Sequence, residues 1–129
     1  MARRYLDWLD QARADLKAAR DSLADSNVEW CAFQCQQAAE KAAEALLRYH
    51  NLEVPGHSIF VLLQRAQEFV KVPEQLRRSA QSLDSHYILA PYPNGFPEGH
   101  PRMFYNEDAA RTCLEGADEL VRFVEGQVS

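Results

Sequence analysis

The 129-residue chain reads as an all-α protein: an antiparallel four-helix up-and-down bundle with an extra short helix and a long proline-rich loop before the last helix. Three observations predict this. Apolar residues recur every three or four positions through the main segments, the period of a helix with one face against a core. No stretch alternates apolar and polar residues as a half-buried strand does. All six prolines lie between the periodic segments, and tight connections favour antiparallel neighbours.

In the first segment Tyr5, Leu9, Ala12, Leu16, Ala19 and Leu23 step by 4, 3, 4, 3 and 4, one stripe on a helix of about six turns. Asp10, Arg13, Lys17 and Asp21 lie on the other side as a solvated face. Ser26-Asn27-Val28-Glu29 has the spacing of a capping box opening the second helix. There Val28, Cys31, Cys35, Ala38, Ala42, Ala45 and Tyr49, joined by Ala32, Ala39, Ala43 and Leu46, make an apolar arc of about 160°. The alanines would let a neighbouring helix come close. Trp30, Phe33 and Leu47 fall outside that arc, so this helix is either central in the bundle or part of a dimer interface, with Trp30 and Phe33 the candidate interface residues.

Asn51 to Gly56 is a turn. A third helix carries Ile59, Leu62, Leu63, Ala66, Phe69 and Val70 inward. Val72-Pro73-Glu74 begins a short fourth, with proline at its first position, carrying Leu76, Ala80 and Leu83 and fading near Tyr87. Residues 90–105 hold Pro91, Pro93, Pro97 and Pro101 with Gly95 and Gly99 and cannot be a helix interior. A loop of that length tends to be functional. Asn106 caps the last helix, with Glu107 and Asp108 in its first turn and Ala110, Cys113, Leu114, Ala117, Leu120, Val121 and Val124 on its apolar side.

Composition sets outer limits. A chain that is 47% hydrophobic and 26% charged is ordinary for a globular protein, and its length suits one domain over residues 1–129. No run approaches the ~20 apolar residues of a membrane span. Met1 to Tyr5 lead into alternating charges rather than an apolar signal core. Three cysteines give no disulfide framework, so a cytoplasmic location is expected. The net charge of −5 argues against coating nucleic acid by bulk charge. Residues 106–129 carry two basic and six acidic groups, whereas residues 72–105 balance at three and three, which leaves room for a local anion site.

The motifs of common chemistries are missing. There is no glycine-rich phosphate loop, no dinucleotide fingerprint and no nucleophile elbow. Cys31 and Cys35 lack a second ligand pair, so they and Cys113 read as core thiols, and no metal or cofactor is expected. What remains is a polar concentration. Gln37, Lys41 and Arg48 project from one side of the second helix beside Trp30. His57 opens the third helix, Arg77, Arg78 and His86 fall on or after the fourth, and His100 and Arg102 end the loop. If the fourth helix and the loop fold back over the second, cationic and aromatic groups converge in one crevice suited to a phosphate and a stacked base. The alternative is a set of solvated residues and caps, with His57 capping the third helix.

Three stretches together resemble a known family. They are Ala12-Arg13-Ala14-Asp15-Leu16 with Ala19; Trp30 through Ala42, with Gln36-Gln37-Ala38-Ala39-Glu40-Lys41 at its centre and His57-Ser58-Ile59 beyond; and His86-Tyr87-Ile88 with Pro91-Tyr92-Pro93-Asn94. In that order they resemble the HEPN domain family over nearly the whole chain, and the run Glu29 to Cys35 is similar to the branch that ends the human co-chaperone sacsin. The resemblance implies a helical bundle, usually a homodimer, that binds a nucleotide or works beside a small nucleotidyltransferase encoded as a separate chain. Gln37, Lys41, His57, His86, Tyr87, Tyr92 and Arg102 are then the candidate ligand residues. Other members are RNA-cutting toxins with an arginine four to six residues before a histidine. Here Arg78 and His86 have seven residues between them, and Pro91-Tyr92-Pro93 stands where close relatives carry Arg-Tyr-Pro. The expectation is a binding module without catalytic residues; a ribonuclease toxin and a purely structural dimerisation module are the alternatives.

Overall fold

The alanine-rich arc of the second segment becomes the axis of the molecule. The computed structural model describes residues 4–128; Met1 to Arg3, which entered the reading of the N-terminus, and Ser129 lie outside the described residues. Helix α1 spans Tyr5–Ala24, α2 Val28–Tyr49, α3 Ile59–Ala66, α4 Glu74–Asp84, α5 His86–Leu89, α6 Pro101–Phe104 and α7 Glu107–Gln127, with a 3₁₀ turn at Pro93–Gly95. No strand occurs among the described residues, and none of the described helices is long and apolar enough to cross a membrane.

Helix α2 packs against α1, α7, α3, α4 and α5. Ala32, Ala38, Ala39, Ala42, Ala43 and Ala45 are all fully buried, because short side chains let the flanking helices close on them without voids. Leu9, Ala12, Leu16 and Ala19 of α1 and Ala110, Cys113, Ala117, Leu120, Val121 and Val124 of α7 fill the other side of the seam. Leu47, outside the predicted arc, is fully buried as well. At its C-terminal end α2 is therefore central; at its N-terminal end Trp30 stays 46% exposed. Glu44 is carried into the interior, where burial pushes its carboxyl above the ordinary range despite Arg48 at 3.1 Å. The Arg48 guanidinium also lies 4.5 Å from the centre of the Trp8 ring, tying α2 to α1.

Both long N-terminal helices end on a left-handed residue that is not glycine. Ser26 (φ 63°) follows α1 and Asn51 (φ 61°) follows α2. Asn27 N donates to Ser22 O and Ser26 N to Leu23 O; Leu52 N donates to Leu47 O and Asn51 N to Arg48 O. These are paired Schellman closures. The first explains why the predicted capping box does not form. Ser26 is used to end α1, Asn27 becomes the N-cap without a side-chain capping bond, and Glu29 falls one position too early to reach back.

Other boundaries shift for local reasons. Helix α3 stops at Ala66, so Phe69 leaves the inward stripe, is 44% exposed, and stacks on His50 at 4.4 Å. Pro73 is the extended N-cap of α4 rather than its first helical residue. The fourth segment breaks at Ser85 into α4 and the single turn of α5. The proline-rich stretch is more ordered than a plain loop. Pro93 and Pro101 each open a short helical turn, where a missing N–H costs nothing.

The start of α3 depends on a distant residue. Asp84, the last residue of α4, accepts from Ile59 N (2.6 Å), Phe60 N (3.2 Å) and Ser58 Oγ (2.8 Å). Ser58 Oγ in turn accepts from Val61 N. A carboxylate here satisfies amides that no helix turn can reach. The cap of α3 is thus Ser58 with Asp84, and His57 does not serve as one. Replacing Asp84 with Ala removes charge-assisted bonds and should cost about 2–3 kcal/mol, read as a lowered midpoint in urea unfolding followed by circular dichroism, with Asp84→Asn falling between the two.

Candidate functional site

The flank of α2 between α1 and α5 carries Trp30, Phe33, Gln37 and Glu40, spaced to lie on one side. The Trp30 ring meets Phe33 edge-on at 5.9 Å, Phe33 lies 6.4 Å from Tyr87 of α5, and Tyr87 stacks on His57 at 4.3 Å and 16°. Residues from α2, α5 and the turn before α3 thus form one aromatic row. Ile88 beside it is 47% exposed.

Beneath the row lies a polar network. His57 Nδ1 stands 3.1 Å from Glu40 Oε2. Glu40 Oε1 accepts from Gln36 Nε2 at 3.1 Å, and the same nitrogen donates to the His57 carbonyl at 3.4 Å. Gln36 Oε1 accepts from Gln37 Nε2 at 2.7 Å. Gln36 is fully buried, and its hydrogen bonds make that burial tolerable. Gln36 and Glu40 stand in the Gln-Gln-x-x-Glu-Lys motif, but neither was among the candidate ligand residues. A glutamine next to Cys35 on a largely apolar helix was the available signal for the first; the second needed the position of His57.

The predicted crevice divides. Gln37, His57 and Tyr87 come together through Gln36 and Glu40. Lys41 turns the other way, onto α1, where Asp15 holds its ammonium at 2.5 Å beside Trp8 and Gln11. Tyr92, in the loop after α5, is 54% exposed. Arg102 of α6 reaches the turn between α1 and α2, donating to the Ser26 carbonyl (3.2 Å) and to Asn27 Oδ1 (3.4 Å), with Glu29 at 3.8 Å. A cleft of about 130 Å³ lies beside it, lined by Trp30, Pro91, Pro93 and His100. Trp30 therefore joins the aromatic row to the Arg102 cleft, while Lys41 belongs to neither.

His86 faces a different way. Its Nδ1 lies 2.5 Å from Tyr105 Oη, and it lines a cavity of about 290 Å³ with Ser79, Ser82, Thr112, Cys113 and Gly116 between α4 and α7. Burial lowers the imidazole pKa and raises those of Tyr105 and Cys113, the thiol to about 12. A neutral pair results, sharing one hydrogen between Nδ1 and the tyrosine oxygen. Arg78 pairs with Glu74 on the exposed side of α4, and neither Arg77 nor Arg78 lines this cavity. Among the described residues, no arginine lines the cavity with His86 as RNA cleavage would use. Cys31, Cys35 and Cys113 are buried free thiols, as read from the sequence, and no cluster of three or more potential metal ligands occurs among the described residues.

A helical bundle built around an alanine-lined central helix, with a Gln-Gln-x-x-Glu-Lys segment on that helix and a His-Ser turn against its Gln36 and Glu40, defines the class of the protein. The chain belongs to the HEPN domain family, whose signature matches residues 5–127. Solved structures agree. A Thermus thermophilus protein is 38% identical, with a TM-score of 0.94 over 99% of this chain and 100% of that one. An archaeal HEPN homologue is 34% identical, with a TM-score of 0.84 over 98% of each chain. A HEPN domain protein from Thermotoga maritima is 29% identical, with a TM-score of 0.77 over 94% of this chain and 96% of its own. No curated protein matches the chain. The likeness to the sacsin branch rests on the Glu29–Cys35 run alone.

The His86 environment sets a pH dependence. An imidazole whose pKa is lowered by burial resists protonation when folded, while the unfolded chain takes up a proton near pH 6.5. Stability therefore falls as pH drops through and below that value. The raised carboxyl of Glu44 acts in the opposite sense at lower pH. The urea midpoint of the wild type should decline between pH 7.5 and pH 5.5, and His86→Gln should flatten that decline.

Proposed function

We propose that this HEPN domain is a homodimeric module that binds a nucleotide at the rim of its self-association face. The observation that carries the reading is the aromatic row of Trp30, Phe33, Tyr87 and His57, flanked by Ile88 and left uncovered along one side of an otherwise enclosed helix. An apolar ring row edged by polar groups is the composition of an interface core with its rim, and tryptophan is a frequent anchor of such faces. The 130 Å³ cleft at Arg102 is smaller than the roughly 300–1,000 Å³ of most small-molecule sites. That favours a site completed by a second copy over one held by a single protomer. Gln37, His57, Tyr87, Tyr92 and Arg102 edge the face and serve as the ligand's contacts. Lys41, held by Asp15, acts as a tie between helices.

Light scattering should give a mass of about twice 14.7 kDa for the wild type. Trp30→Glu, which places a charge at an exposed position, should give a folded monomer with unchanged helical circular dichroism. Titration calorimetry with ribonucleoside triphosphates should saturate with the wild type and lose most of its affinity with the monomeric variant. A monomeric wild type, or no binding at millimolar ligand, overturns the corresponding half of the reading.

A further inference from the structure

The hydrogen bonds around Glu40 all point toward it. An ionised carboxylate only accepts, so Gln36 must turn its amide nitrogen to Glu40 and its oxygen to Gln37. By the same logic His57 Nδ1 carries the hydrogen it shares with Glu40. Nε2, on the opposite edge of the ring, is then an acceptor in the neutral imidazole. The His57 side chain is 57% exposed, and the Tyr87 stack together with the Glu40 bond fixes the plane of its ring. Gln37 keeps its carbonyl Oε1 without a hydrogen-bond partner among the described residues. With the imidazole neutral, the outward groups of the network are lone pairs, aligned by a half-buried carboxylate and polarised by the bonds behind them.

The cations that would favour a phosphate here are engaged elsewhere. Lys41 is bound by Asp15 on the α1 side, and Arg102 is turned to the Ser26 carbonyl and Asn27. A phosphate placed against His57 would meet acceptors and the charge of Glu40. A group rich in O–H donors would meet partners.

We propose that the Glu40-anchored network recognises the vicinal hydroxyls of a ribose through His57 Nε2 and Gln37 Oε1, so that the nucleoside, and not its phosphate chain, carries most of the affinity. This rests on the nucleotide-binding reading above and narrows it. His57 and Gln37 are the contacts; Glu40 and Gln36 are positioning residues.

The test is titration calorimetry of the full chain with the four ribonucleosides, their 5′-triphosphates, the 2′,3′-dideoxy triphosphates and inorganic triphosphate. For the base that binds best, the ribonucleoside should bind within about threefold of its triphosphate. The dideoxy form should bind roughly ten- to a hundredfold more weakly, the scale of two lost hydrogen bonds. Inorganic triphosphate should not compete. His57→Ala, at an exposed position, should remove most of the difference between the ribose and dideoxy forms, leaving the share held by Gln37. Glu40→Gln should diminish that difference, and should add nothing in the presence of His57→Ala, because the two act as one unit. A purely structural Glu40 would weaken both ligand forms alike. If triphosphates bind but ribose and dideoxy forms are equal, or if inorganic triphosphate competes, the ribose assignment is wrong while nucleotide binding stands. If no triphosphate binds, the nucleotide reading itself falls.

Discussion

The close seating of helices on α2 is the constraint from which the rest follows. Its alanines remove the bulk that would hold α1 and α7 away, and a helix enclosed on several sides can leave only a narrow strip of itself open. That strip is where Trp30, Phe33, Gln37 and Glu40 lie. The same enclosure brings polar residues inside at Gln36 and Glu44. Each is then obliged to find partners, Gln36 in Glu40, Gln37 and the His57 carbonyl and Glu44 in Arg48. The polar network of the candidate site is thus a by-product of how tightly the axis is wrapped.

Much of the fold was legible because helical burial is periodic. The stripes of α1 and α7 and the alanine arc of α2 are buried where the spacing placed them, save Tyr5, Leu23, Val28, Tyr49 and Leu114, which are half-buried against the core. The parts that were not legible are those where one local signal competes with another. Ser26 has the composition of a cap, yet closing α1 requires a left-handed residue at that position, and the closure wins. Phe69 continues a heptad-like count past the point where α3 ends. Prolines that exclude a helix interior do not exclude a helix start, which is how Pro101 begins α6.

The site was legible as a list of residues and much less as a place. Sequence position puts Lys41 one residue from Glu40, but a helix turns about 100° per residue, enough to send one side chain to α1 and the other to His57. His86 and Tyr87 are likewise neighbours that part company, one into the seam between α4 and α7, the other into the aromatic row. The pairing of Arg102 with Ser26 and Asn27 spans about three-quarters of a hundred positions, and no periodicity reports such a contact.

The carboxylate that α4 lends to α3 links parts of the chain some 25 residues apart. Helix α3 is only eight residues long, too short to persist in water unaided, and its opening amides are held from another element. Neither end of that contact is complete alone. The third and fourth helices are therefore coupled through this contact, and a native-state opening that frees one releases the cap of the other. His57, one residue before the cap, takes its steadiness from that contact, so any ligand it holds would tighten both helices at once.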